Sequence, residues 1–480
     1  MAKNYLYNLL LTLTNLLFPI LSFPYSSRIL GPEGIGAVQF VFSFSLYFGL
    51  VASLGIPVYG MKEIAKFRND RESRSKVFSE LMAIYLISTL ILFSIYLLVI
   101  FYFPYFRAER SMYVGASLMV LLGFSYIDWL FTGMEEFRSI ALRSVLFKIL
   151  GLALLYLFIK DRNDYHYYLY IMMFSFLGNN ILSLFLIKDK VNIHIKGLEL
   201  KKHLTPLLFI LGTSLASSMY TDMDTVLLGF LSTNKTVGLY TAAVKLSKIA
   251  IPLVTSMGVI LVPKIALYFA EKNLVEVQKT LNQTFSFLIF FSVPIVFGLA
   301  LLAPEFISLF SGDEFLQATA SMQVLSLLPM IIGFGHMFLY LILIPSGMNR
   351  QMFFCVLGGL VTSLILNVML IPNLQAMGSS IANVCSEIVV TLFYVYFIRK
   401  HYRFTYDWSL LVKALLSALI FIPLVWLVRD FSLSLLLTLA LSIATCGLSY
   451  VAIQWFIFGN HFISEIIIFL KLKFNIGGKV

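Results

Sequence analysis

Charge is what this chain has least of. Only 12% of its 480 residues are Asp, Glu, Lys or Arg, where a soluble globular chain carries about 25%. That shortage excludes water as the solvent around most of the surface, and a mean hydropathy of +0.91 says the same. Cysteine is scarce too. Cys355, Cys385 and Cys446 all lie in apolar stretches without C-x-x-C spacing and read as buried small hydrophobes. The first apolar stretch lacks a small-residue cleavage site and a strongly basic leader, so it is expected to be a retained helix rather than a signal peptide. Long polar loops are missing as well, and no soluble domain is expected on either face.

What is present is one apolar run of roughly 20 residues after another, each long enough to cross about 30 Å of hydrocarbon. Spans are expected near 5–27, 37–59, 77–103, 113–133, 141–159, 166–187, 206–231, 236–263, 284–310, 317–345, 351–371, 377–398, 409–428 and 432–457. The fold class is therefore all-α, a polytopic membrane protein of about fourteen transmembrane helices. Most of the 35 Lys and Arg fall on one set of loops, among them Lys62, Lys66, Arg68, Arg71, Arg74, Lys76, Lys188, Lys190, Lys196, Lys201 and Lys202. The basic side is cytoplasmic by the positive-inside rule, which puts both termini inside. The formal charge of +11 is thus a topology signal, and no nucleic-acid partner is implied.

A shift of about 202 residues lays Pro32–Gly36 (PEGIG) on Asn234–Gly238 (NKTVG), each at a turn that opens an apolar helix. Lys62 meets Lys264, and Thr132–Phe137 (TGMEEF) resembles Ser346–Gln351 (SGMNRQ) after a drift of about a dozen residues. Each copy holds six spans, so the copies share an orientation, as in parallel-repeat transporters. The expected division is an N-lobe at 1–203, a C-lobe at 204–402, and two further spans with an amphipathic cytoplasmic tail at 403–480.

Ionisable groups inside spans cost about 2.5–3.5 kcal/mol each, so each needs a reason. Asp222 and Asp224 form a D-x-D within SMYTDMDTVLLGFL. A metal–sugar-nucleotide site would need both carboxylates to converge on one cation in a watery loop. On a continuous helix they point about 200° apart. Catalysis, a metal site and a cofactor are accordingly not expected. Lys245 and Lys248 lie one turn apart on the return helix, with Lys245 expected at the depth of Asp224 as a partner. Asp128, with Trp129 beside it as an interfacial or cavity aromatic, sits late in its span, where a water-exposed helix end is the competing reading. His336 reads first as a neutral, hydrogen-bonded structural histidine and second as a proton carrier. Glu387 reads equally as a proton site or as a tie between helices, and Arg28 lies near the outer end of the first span. Pro19 and Pro24 should bend that first helix.

Five stretches carry a family resemblance: Ser26–Val41 (SSRILGPEGIGAVQFV), Leu54–Arg68 (LGIPVYGMKEIAKFR), Asp128–Ser144 (DWLFTGMEEFRSIALRS), Asp224–Ser247 (DTVLLGFLSTNKTVGLYTAAVKLS) and Asn373–Glu387 (NLQAMGSSIANVCSE). Together they make the chain resemble the polysaccharide transporters of the MOP flippase superfamily, the Wzx-type O-antigen and exopolysaccharide flippases. Thr132 stands where many relatives would carry Gln. The resemblance implies two pseudo-symmetric six-helix lobes around a cavity, plus two C-terminal helices. It also implies transfer of a polyprenyl-pyrophosphate-linked oligosaccharide to the outer leaflet of the plasma membrane for O-antigen, capsule or exopolysaccharide synthesis. Arg28, Lys245 and Lys248 are expected to hold the head group. Asp128, Asp222, Asp224, His336 and Glu387 are the candidates for coupling to H+ or Na+. The implied partners are the lipid-linked oligosaccharide, membrane lipid, and polysaccharide polymerase and chain-length proteins. A cation-exporting relative of the superfamily and a membrane polysaccharide polymerase or ligase remain the alternatives. In intact cells, an impermeant thiol reagent should label a single cysteine placed at Asn234 and spare one at Arg68. The reverse pattern overturns the orientation.

Overall fold

A computed structural model describes residues 2–459, apart from the side chains of 2–5, 8, 220–222 and 259. The amphipathic tail expected from the sequence lies outside the described residues. Every element among them is helical, and the helices present large apolar side chains outward, such as Phe185 at 74% and Ile260 at 75% exposure. Such a surface suits hydrocarbon as its solvent. Eleven helices are long and apolar enough to cross a membrane, or twelve if the pair Lys201–Met219 and Asp224–Leu231, bent by 62°, counts as one. The chain divides into two compact units, Met1–Thr241 and Ala242–Val480.

The first unit holds α1 (Ala2–Ala52), α2 (Ile56–Lys66), α3 (Arg71–Tyr102), α4 (Arg110–Leu121), α5 (Asp128–Gly133), α6 (Phe137–Phe158), α7 (Tyr165–Phe185), α8 (Lys201–Asp222) and α9 (Asp224–Leu231), together with the start of α10 (Asn234–Ile249). At 1.5 Å per residue, the 51 residues of α1 would run about 76 Å, more than twice the hydrocarbon thickness. The helix is broken at Gly31, whose φ of 67° and ψ of 177° favour a residue without Cβ, and Pro32 then opens the next stretch. The break is therefore at Gly31, while Pro19 and Pro24 lie inside helical backbone. Before it, α1 runs along α6, with Asn15 bonded to Lys148 and Tyr25 donating to the Ile159 carbonyl at 2.9 Å. After it, Ser45 meets the Tyr96 hydroxyl at 3.0 Å and the Ala52 carbonyl accepts from Ser88, both on α3.

The two turns aligned by the sequence repeat are neighbours within this unit. A Cβ at Gly36 would lie 1.7 Å from the Asn234 carbonyl oxygen, and a Cβ at Gly238 would lie 1.9 Å from the Pro32 carbonyl oxygen. The contact is reciprocal: each repeat's glycine faces the backbone at the head of the other repeat's turn. Only residues without a side chain permit this approach.

The second unit continues through α11 (Ile251–Ala270), α12 (Leu274–Leu301), α13 (Ala303–Ser311), α14 (Thr319–Leu325), α15 (Leu328–Phe338), α16 (Asn349–His401), α17 (Ser409–Ala418), α18 (Phe421–Asp430) and α19 (Leu435–Ala452). The 53 residues of α16 are interrupted at Gln375, with φ 50° and ψ −126°. Ser379 donates to Asn367 Oδ1 at 2.8 Å across that break. In a straight helix those residues would stand about 18 Å apart, so the chain folds back on itself there. A left-handed, non-glycine residue costs about 1–3 kcal/mol, and the Ser363–Asn367–Ser379 bonds hold it in place.

Gly36→Ala and Gly238→Ala should each destabilise the purified protein by about 1–3 kcal/mol through overpacking. Gly49→Ala, where a Cβ meets nothing within 4 Å, should leave the melting temperature unchanged. Equal melting of all three would contradict the crossing.

Candidate functional site

The polar groups sunk in the first unit fall into three sets. Asp128 opens α5 and forms a 2.8 Å ion pair with Arg143 of α6, which is only 4% exposed. The guanidinium also donates to the carbonyls of Ser139 and Asn179, at 3.1 and 2.9 Å, and lies 4.9 Å from the Phe131 ring centroid. Asp128 is thus not a water-exposed helix end, and Arg143, which the sequence places simply at the flank of a span, is its partner. Trp129 is not at an interface either. It is buried, stacked 5.5 Å from Phe78, and so close to Gly60 that a Cβ there would come within 2.5 Å.

The D-x-D stretch is not one straight helix. Lys201–Met219 and Asp224–Leu231 are bent by 62° to each other, with Met223 a turn residue between α8 and α9. Asp224 is 2% exposed and accepts from the Tyr240 hydroxyl at 2.6 Å. The side chain of Asp222 lies outside the described residues. Arg28 is exposed on α1, three residues before the Gly31 break.

The third set was missed by sequence reasoning. Glu80 of α3 is fully buried, and its carboxylate accepts from His203 Nε2 at 2.9 Å, Lys202 Nζ at 3.0 Å and the Glu199 amide at 3.0 Å. A carboxylate facing Nε2 calls for a proton there, and Nδ1 lies 2.9 Å from the Tyr59 hydroxyl. Above it, residues 186–200 lie as an irregular strap along α3. Their backbone amides at Asn192 and His194 donate to Ser75 and Ser79, each at 2.9 Å, and Arg74 donates to the Lys190 carbonyl at 2.8 Å. Lys190 pairs with Glu136, Lys76 with Glu199 at 3.0 Å, and Arg68 with Glu135 at 2.7 Å. Lys76 holds the exposed Glu199 carboxyl below the usual carboxylate range. That contribution is present near neutral pH and is lost only as acid protonates the folded carboxyl. Several of the basic residues of these loops, Arg74, Lys76, Lys190 and Lys202, are therefore engaged in fastening this strap. A Ser-x-x-x-Ser-Glu sequence on a helix flank, Ser75 to Glu80, was the available signal.

In the second unit, Lys245 and Lys248 are partly buried on α10, one turn apart. His336 of α15 has its ring 5.1 Å from that of Tyr340, and its buried Nδ1 has no hydrogen-bond partner. Thr391 Oγ1, on the second half of α16, is likewise buried and unpartnered, and lies 3.4 Å from where a Gly335 Cβ would stand. Glu387, one turn before Thr391, is partly buried. Among the described residues no group of three or more His, Cys, Asp or Glu is placed to hold a metal ion.

Removing one partner of a buried ion pair costs about 3–5 kcal/mol, because the other charge is stranded. Asp128→Asn and Arg143→Met should each lower the amount of folded protein in the membrane, and the double variant should lose less than the two combined. Strictly additive losses would contradict the pair.

The family described as polysaccharide biosynthesis protein matches residues 1–269. A Shigella dysenteriae protein provisionally named an O-antigen transporter is 23% identical over 409 residues, covering 82% of this chain and 98% of that one. The structure of the lipid II flippase MurJ in an inward closed conformation superposes with a TM-score of 0.72 at 15% identity, over 96% of this chain and 99% of that one. An inward-facing MATE family multidrug transporter of the MOP superfamily superposes with a TM-score of 0.60 at 18% identity, over 81% and 95%. The chain therefore belongs to the polysaccharide biosynthesis protein family, as a multi-pass membrane protein with the MOP fold.

Proposed function

We propose that this protein is a flippase that carries a polyprenyl-pyrophosphate-linked oligosaccharide from the cytoplasmic to the outer leaflet of the plasma membrane, for surface polysaccharide synthesis. The observation that supports this most is the combination of a polysaccharide-biosynthesis family match with the helical MOP fold. The named O-antigen transporter that the chain resembles over most of its length points to the same class of cargo.

We read α1 and α16 as two crossings each, and α8 with α9 as one, which gives fourteen spans with both termini cytoplasmic. On the same reading the repeats divide near 203 and again near 402. The physical problem is to move a polyanion and its sugars through hydrocarbon while the tail stays in it. Arg28, Lys245 and Lys248 are the proposed head-group cations. Guanidinium and ammonium groups attract pyrophosphate at long range, and the partial burial of the two lysines lessens screening by water. Alternating exposure of these groups to the two leaflets would carry the head group across. Asp128, Asp222, Asp224, His336 and Glu387 are the proposed groups for a coupling cation, and the open Nδ1 of His336 is the acceptor a proton would find. Polysaccharide polymerase and chain-length proteins are the proposed downstream partners.

In cells lacking the native gene, Arg28→Ala and Lys248→Ala should cut surface glycan about tenfold or more, with the lipid-linked precursor accumulating and protein abundance near normal. Arg28→Lys should retain part of the activity. Normal export by both alanine variants would remove the cationic head-group site.

A further inference from the structure

The outer face of the first unit carries an open apolar groove of about 500 Å³ between α4, α6 and α7. Its walls include Leu118, Phe147, Tyr170, Phe174 and Phe185, and its floor includes Gly178. The α7 positions recur three and four residues apart, so the groove runs straight along one helix face. The absence of a side chain at Gly178 matters: a Cβ there would stand 2.2 Å from the Phe147 ring. Leu118, Tyr170 and Phe174 are 40–46% exposed and Phe185 is 74% exposed, in helices apolar enough to cross a membrane. The surrounding medium is hydrocarbon, so the occupant is a hydrocarbon chain.

Length selects which chain. From Tyr170 to Phe185 is about 22 Å along the helix, whereas one leaflet contributes about 15 Å of hydrocarbon, half of the roughly 30 Å total. With Phe185 near one end of its span, a groove of that length outreaches a chain confined to one leaflet. Its Phe185 end is also the basic end. The Glu136–Lys190 ion pair closes α6 onto the segment after α7; Arg138 stands two residues after Glu136, on α6, and Lys188 two residues before Lys190, in the turn after α7. Both are exposed, and neither forms an ion pair among the described residues. By the distribution of Lys and Arg this is the cytoplasmic end.

We infer that the groove between α4, α6 and α7 holds the polyprenyl tail of an anionic lipid carrier in the cytoplasmic leaflet, with its pyrophosphate between Arg138 and Lys188. The inference rests on the flippase reading and adds a docking site for the tail, separate from the proposed head-group cations. The tail's excess length lies along α7 across the midplane, so the carrier is held before its sugars enter the protein.

The test uses the full-length protein in bilayer discs of zwitterionic phospholipid, with a diazirine-tagged long-chain polyprenyl pyrophosphate as probe. Adducts mapped by peptide mass should concentrate in residues 170–185. Farnesyl pyrophosphate carrying the same tag, whose tail stays within one leaflet, should label these residues at least fivefold less. Leu118→Trp and Phe174→Trp, at wall positions exposed enough to accept the bulk, should reduce labelling by the long probe at least fivefold. Arg138→Gln with Lys188→Gln should reduce labelling by the pyrophosphate probe but not by a tagged polyprenol. Adducts scattered evenly over the exposed faces of the unit, equal labelling by the short chain, or displacement by phosphatidylglycerol overturns the assignment. Glycan export by the same protein in cells separates this from the flippase reading. Export with scattered adducts removes the groove and leaves the flippase; groove adducts without export keep the groove and remove the flippase.

Discussion

A bilayer offers no water to a stranded charge or an unpaired amide, and that one constraint organises this molecule. Carbonyls and amides are satisfied by winding the chain into helices. Where it must leave the helix, at Gly31, Met223 and Gln375, a nearby side chain or a special residue makes the exception tolerable. Gly31 accepts its backbone angles without strain, Asp224 just after the Met223 break bonds Tyr240, and the Gln375 turn is stitched by Ser379 and Asn367. Charges obey the same rule. Buried Arg143 is paired with Asp128, and buried Glu80 with His203 and Lys202.

The paired groups hold the scaffold in shape. Glu80 and the serines of α3 bind the strap that leads into α8, so the chain between two membrane helices is fixed by bonds to a third. Arg28, Lys245 and Lys248, none of them fully buried, are the proposed head-group cations. Passage of a pyrophosphate through hydrocarbon requires positive charge within reach of the polyanion.

Much of the architecture was legible because membrane solvation leaves a crude signal. Twenty apolar residues in a row announce a crossing. The Pro32–Gly36 and Asn234–Gly238 turns could be aligned from sequence, and the structure sets them against each other, glycine to backbone. What could not be read is pairing between helices. Arg143 is fifteen residues from Asp128 and in another helix, so sequence showed two isolated charges where the fold has one ion pair. Glu80 and His203 are 123 residues apart and nothing in the sequence links them, yet both are buried and bonded to each other. The helix break at Met223 has no glycine or proline to mark it, and Trp129 carried no sign that Gly60 and Phe78 would enclose it.

The account stands or falls on translocation by this chain alone. The purified protein in sealed proteoliposomes, supplied with a fluorescent polyprenyl-pyrophosphate oligosaccharide in both leaflets, can be probed with an impermeant quencher or sugar oxidant. The account predicts that the fraction reached rises from about half to nearly all, at a rate proportional to protein, while protein-free liposomes and an Arg28→Ala, Lys248→Ala double variant stay at about half. A protected half that persists with the native protein, under imposed H+ and Na+ gradients alike, would contradict it.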